Sequence, residues 1–301
     1  MSSKFKAHIS ISLASVIFGA NYWIAKGLMP YFFTPLQIVF LRIVGALFLY
    51  FMLSFIFKTG NVDKQDMIRI ALCGLFGVAL NQILFFEGLK RTSPVDTALI
   101  HATSPLMVVL FAFILVKEKL KFKEFVGVLI GFIGTLILIT DDKNISFEDN
   151  RLSGNILILL NIISYSIYLV LLKPLMKKYH PVTVMKYVFM WGFLISIPFT
   201  ITSLPDINLS RLNLTAILSI LYVIIGTTFL AYLLTTYSLK TLNTFIVGYY
   251  IYSQPFIAAI IGIITGVELP TINKILAGLL IFIGIYLVNQ KQAVKTNLKQ
   301  L

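Results

Sequence analysis

Leu106-Met107-Val108-Val109-Leu110-Phe111-Ala112-Phe113-Ile114-Leu115-Val116 is an unbroken apolar run. A strand of an outer-membrane barrel alternates apolar and polar residues over about ten positions, and this run does not alternate. In lipid the remaining way to satisfy every backbone N–H and C=O is a helix. The same texture recurs along the 301-residue chain, at 7–25, 36–57, 70–86, 97–116, 125–140, 152–172, 184–203, 212–239, 241–267 and 275–290. Most of these match the roughly 17–25 residues that cross about 30 Å of hydrocarbon as helix. The stretches 125–140 and 275–290 are slightly short and must borrow from their flanks. The expected fold is therefore an all-α polytopic membrane protein with ten transmembrane helices. The first stretch lacks an Ala-x-Ala cleavage site and reads as a retained helix rather than a signal peptide.

Composition agrees. Apolar residues make up 58% of the chain and charged ones 12%, against about 45–50% and 25% in soluble proteins. The mean hydropathy is +0.91, which excludes soluble, fibrous and disordered classes. The net charge of +13 calls for no nucleic-acid partner, because cytoplasmic loops of membrane proteins are basic. A single cysteine, Cys73, rules out an intramolecular disulfide, and three histidines leave little scope for a metal centre.

Ten helices put both termini on one side. With the amino terminus inside, 17 Lys and Arg fall in cytoplasmic segments and seven outside, and eight of the twelve acids lie outside. The positive-inside rule then predicts both termini in the cytoplasm of a cell whose inner (plasma) membrane holds the protein.

The two halves also match. Phe18-Gly19-Ala20-Asn21 and Lys26 correspond, at a spacing of 147, to Tyr165-Ser166-Ile167-Tyr168 and Lys173. At a spacing of 150, Gly88-Leu89-Lys90 answers Ser238-Leu239-Lys240, Pro105 answers Pro255 and Glu118 answers Glu268. This predicts two five-helix units, 1–140 and 152–290, an acidic connecting loop at 141–151 and a basic tail at 291–301. Five is odd, so the second unit enters the membrane inverted. Such repeats suit alternating access around a central site.

Phe18-Gly19-Ala20-Asn21-Tyr22 with Lys26, Pro35 with Phe40-Leu41-Arg42, Asn81-Gln82, Phe85, Gly88-Leu89, Thr92-Ser93-Pro94, Ala98, Pro105 and Glu118 resemble the EamA-type modules of the drug/metabolite transporter superfamily. The resemblance covers nearly the whole chain, with the first half closer to the pattern. It implies a ten-helix carrier of small metabolites, often amino acids exported from bacterial cells.

Polar residues inside the apolar stretches are the candidate site. Arg42 lies six residues into its helix, roughly 9 Å deep at about 1.5 Å per residue. An arginine there must pair, face water or snorkel. It either attracts a substrate carboxylate or tethers helix-end carbonyls. Asn21, Asn81 and Gln82 sit at similar depth and either line a solute pathway or bond neighbouring helices. Asn161, Ser164 and Tyr168 share one helix face. Tyr232 and Tyr249 are the deeper of the later tyrosines and could offer a ring and a hydroxyl to a solute. The substrate pathway is thus read as Asn21, Arg42, Asn81, Gln82, Tyr168, Tyr232 and Tyr249.

His101 and Glu87 are the candidates for proton coupling. Against this, a neutral hydrogen-bonded histidine and a boundary glutamate are the structural alternatives. Ser93-Pro94-Val95-Asp96 reads as a helix cap rather than a proton site. Pro105 and Pro255 can kink their helices and so serve gating, or fix a static curve.

The chain contains no phosphate-binding Gly-x-x-x-x-Gly-Lys-Ser/Thr loop and no zinc-protease or nucleophile motif. The expectation is no enzyme, no cofactor, and a secondary transporter of a small-molecule substrate in a lipid bilayer. The resemblance implies an amino acid or related metabolite moving outward as its cargo. A passive facilitator or exchanger is the alternative, and a non-transport scaffold the weaker one.

Overall fold

A computed structural model describes residues 3–57, 60–117, 122–140, 150–266 and, within 272–287, all but 274, 277, 281 and 285. Among these residues the regular structure is helical throughout. α1 (Ser3–Leu28) and α2 (Pro35–Ile56) are continuous. α3 (Lys64–Gly74) passes through a π-helical stretch, Leu75–Ala79, into α4 (Leu80–Arg91). α5 (Pro94–His101) and α6 (Ser104–Val116) are separated by a turn, and α7 (Phe122–Thr140) follows. α8 (Asn150–Leu175) and α9 (Pro181–Thr200) open the second half. α10 (Leu214–Leu221) passes through a π-helical stretch, Tyr222–Leu230, into α11 (Ala231–Leu239). α12 (Thr244–Tyr249) and α13 (Ser253–Ile264) are joined by a 3-10 turn.

Among the described residues, seven helices are long and apolar enough to cross a membrane: 3–28, 35–56, 64–91, 152–175, 181–206, 214–239 and 244–264. Two shorter apolar helices cover Ser104–Leu115 and Phe125–Gly134. The protein is an all-α, multi-pass membrane protein. Glu118, Glu268, residues 141–149 of the acidic connector and the 291–301 tail lie outside the described residues.

Local sequence accounts for the starts and breaks. Thr34 and Gln37 form a reciprocal capping box before α2, with Pro35 at its first position. Asn213 and Asn243 accept from the third backbone N–H of α10 and α12 in the same way. Ser93 Oγ accepts from Asp96 N at 2.9 Å, as its spacing predicts. The helix read at 70–86 extends to 64–91, because hydropathy reports only the part in hydrocarbon while helical bonding continues into the polar zone.

Two expectations need correction. The runs 97–116 and 241–267 are not single continuous α-helices, since α5 ends at His101 and α12 at Tyr249. Pro105 has no N–H for the His101 carbonyl, and Pro255 none for that of Ile251. Pro105 therefore sits in the first turn of a new helix past a turn, whereas Pro255 follows a 3-10 stretch, Tyr250–Tyr252, inside the helical span 244–264.

Several local features recur along the chain. Both π-helical stretches, 75–79 and 222–230, occupy corresponding places. α1 packs on α11 and α13, while α8 packs on α4 and α6. Lys26 at the end of α1 donates to the carbonyls of Leu89, Lys90 and Thr92 at 2.7, 3.1 and 2.7 Å. Lys173 near the end of α8 donates to those of Leu239 and Leu242. Each ammonium thus caps the carboxyl end of a helix, where the backbone leaves carbonyls unsatisfied and the helix dipole favours a cation. Lys26→Met is expected to cost about 1.5 kcal/mol of stability. Chemical denaturation in micelles would measure it, and an unchanged midpoint would show that water replaces the ammonium there.

Just past this end of α8, Lys178 and Tyr179 each bond Asp66, at the start of α3, at 2.8 Å. Burial and the Asp66 carboxylate push the Tyr179 phenol up to about 12, so it remains a donor throughout the physiological range.

Candidate functional site

Side chains of both halves enclose a cavity of about 60 Å³, tighter than the roughly 300–1,000 Å³ of small-molecule sites. α1 contributes Phe18, Asn21 and Tyr22, α2 Arg42, and α4 Asn81 and Phe85. His101, the last residue of α5, and Asn161 and Tyr165 of α8 also line it. Tyr232 of α11, Ile251 in the 3-10 turn and Gln254 in the first turn of α13 close the wall. Broken helices at a central site leave backbone and side-chain polar groups where a solute can use them.

Arg42 is 4% exposed. Its Nε donates to Thr228 Oγ1 at 2.6 Å, and its guanidinium carbon lies 4.8 Å from the Phe86 ring centroid. Thr228 Oγ1 in turn donates to Val223 O at 2.6 Å. Val223 and Thr228 both lie in the π-helical stretch Tyr222–Leu230, a kind of irregularity frequent at functional sites. The first π-helical stretch acts alike. Ser164 Oγ donates to Phe76 O at 2.6 Å and the Tyr232 hydroxyl to Gly77 O at 2.9 Å. Two helix irregularities therefore hold the side chains that frame the cavity.

The amides bridge the halves. Asn161 Nδ2 donates to Asn81 O at 2.7 Å, and Asn81 Oδ1 lies 3.1 Å from the Tyr232 hydroxyl. The Tyr22 hydroxyl donates to Gln254 Oε1 at 2.8 Å. Asn21 Oδ1 is buried without a protein hydrogen bond. Tyr22 and Phe85 meet the His101 ring edge-on, with centroids 5.5 and 5.8 Å away.

Of the residues read from sequence, Asn21, Arg42, Asn81, His101 and Tyr232 meet at this cavity. Gln82 is buried and does not line the cavity. Tyr168 stands behind the wall, its ring centroid 6.1 Å from that of Tyr232 and its hydroxyl toward Met185 Sδ. Tyr249 turns away, its hydroxyl donating to Gly127 O in α7 at 3.1 Å. Glu87 pairs with Arg91 at 3.4 Å, near the end of α4. Pro105 and Pro255 follow the two breaks. Sequence reasoning missed Phe18, Tyr22, Phe85, Tyr165, Ile251 and Gln254 as lining. Only Gln254, an amide in an apolar stretch, carried a readable signal.

No group of three or more His, Cys, Asp and Glu capable of holding a metal occurs among the described residues.

Comparison with known proteins agrees with this picture. The model of the EamA-like transporter family matches residues 5–140 and again 152–290. An uncharacterized transporter of Archaeoglobus fulgidus is 25% identical over 291 residues, covering 95% of this chain and 98% of the relative. The uncharacterized transporter YyaM of Bacillus subtilis is 24% identical over 274 residues, covering 90% and 89%. A solved crystal structure matches with a TM-score of 0.74 at 19% identity over 96% of each chain, a likeness of fold. With the family pattern spanning both halves, the chain belongs to the EamA-like transporter family.

Proposed function

We propose that the protein is a secondary transporter that exports amino acids or related small metabolites by alternating access. The observation that carries this reading is the cavity at the two helix breaks, walled by aromatic rings and furnished with one buried cation and several amides. The repeat supports it. The paired π-helical stretches, the paired lysine caps and the paired proline breaks fit two inverted five-helix units, 1–140 and 152–290, with ten spans in all. Rocking one unit against the other would expose the cavity to either side in turn. The excess of basic residues at one face supports cytoplasmic termini in a plasma (inner) membrane.

Reporter fusions are expected to place the 141–151 loop outside and the 173–183 segment inside. Finding both on one side would sink the inverted arrangement. Reconstituted protein should move labelled amino acids or related metabolites, and silence across a broad panel with folded, inserted protein would remove the transport reading.

A facilitator or exchanger is the second reading. Of the two candidate proton carriers, His101 lines the cavity and Glu87 is paired elsewhere, which favours His101 if a proton is carried. Concentrative efflux that collapses with the pH gradient, and loses that dependence in His101→Gln, would select coupling. Exchange that persists without any gradient effect would select the facilitator.

A further inference from the structure

The cavity carries one permanent charge and no opposite one. Arg42 is its positive group, and among the described residues no Asp or Glu lines it. Guanidinium stays protonated in proteins, so this charge cannot be shed. Among the described residues, the salt bridges are Arg91 with Glu87 and Lys178 with Asp66, and neither involves Arg42. Only Nε is engaged, by a neutral hydroxyl.

Water offsets such a charge while the cavity is open. Once the cavity closes, the several kcal/mol cost of an uncompensated buried ion returns. A solute with a net charge of −1 makes the closed complex neutral. A zwitterion does not, because its ammonium would need a carboxylate that the wall lacks. Among the polar atoms left over, Asn21 Oδ1 is an acceptor suited to a neutral donor, buried without a protein partner. Phe18, Phe85 and Ile251 supply apolar wall.

We infer that the cavity is built for a net monoanion with a carboxylate head, a hydroxyl beside it and an apolar body, that is, a 2-hydroxy acid. The carboxylate would take the free N–H groups of Arg42 as a charge-assisted pair, and the hydroxyl would donate to an amide oxygen. This rests on the transport reading and narrows its cargo from amino acids to their hydroxy-acid counterparts. It also makes the transport step electrogenic unless a proton accompanies the anion.

The test uses full-length protein in nanodiscs and three matched pairs: lactate with alanine, 2-hydroxyisocaproate with leucine, and 3-phenyllactate with phenylalanine. Thermal stabilisation would be titrated with each, and with chloride. In at least one pair the hydroxy acid should reach half-maximal stabilisation at a concentration tenfold or more below that of its amino acid. Arg42→Gln should erase that preference. Equal or tighter binding of the amino acid in every pair overturns the inference, as does the absence of any shift. So does a chloride shift that saturates the site and leaves nothing for the organic anions. The comparison within pairs needs only the native protein, so a poorly folded variant does not blunt it. Proteoliposome flux separates the two readings. Anion binding without flux overturns the transporter and leaves the site, whereas amino-acid flux without anion preference does the reverse.

Discussion

Arg42→Met is expected to abolish transport without lowering thermal stability. Removing one member of a buried, hydrogen-bonded charge pair costs about 2–5 kcal/mol in binding, and at about 1.4 kcal/mol per tenfold the lower bound already means a loss of roughly 30-fold. The fold should respond in the opposite sense. A buried guanidinium without a carboxylate is a liability to the protein by itself, and an apolar side chain of similar length removes that liability. Thr228 loses only a donor, since its own hydroxyl remains bonded to Val223 O. Methionine would keep contact with the Phe86 ring through its thioether. Flux in proteoliposomes at matched protein content and a melting curve of the same sample decide the matter. A fall in melting temperature large enough to account for the lost flux would make Arg42 a structural tether and not a binding group.

Arg42 was legible in the sequence because a charge within an apolar stretch demands an explanation, and Asn21, Asn81 and His101 were legible for the same reason. The long spans were legible too, since lipid sets their length and excludes any other backbone arrangement. The breaks were less so. Pro105 and Pro255 signal a disturbed helix, yet whether the chain bends or stops depends on what surrounds the freed carbonyls. Tyr232 and Tyr249 are alike in sequence, each a tyrosine deep in an apolar helix. Only packing shows that one hydroxyl meets Gly77 O at the cavity and the other Gly127 O behind it. Tyr22, Phe85 and Tyr165 could not be told from lipid-facing aromatics, because a hydrophobic wall and a hydrophobic surface use the same residues. The π-helical stretches leave no mark in composition at all.

Gly74→Ala is expected to separate two helices and take the site with them. Gly74 ends α3 against α9, where an added Cβ would lie 2.9 Å from both Val188 O and Gly192 N and 2.8 Å from Trp191 Cβ. Two of those three atoms are backbone, so no rotamer change makes room. Helices in a membrane associate chiefly through close van der Waals packing, and small residues at the crossing permit it. Overpacking of this kind costs about 3 kcal/mol. The consequence travels one turn further, because the π-helical stretch begins at Leu75. Its Phe76 and Gly77 carbonyls accept from Ser164 and Tyr232, and a displaced α3 loosens both. The variant should therefore show reduced folded yield by size-exclusion chromatography and, in the fraction that folds, weakened solute binding. Gly27→Ala is the control, since nothing lies within 4 Å of a Cβ there, and in a helix alanine is favoured over glycine by about 1 kcal/mol. Wild-type yield and binding for Gly74→Ala would mean that α3 and α9 can part without cost, and that the close crossing is not what holds the cavity in shape.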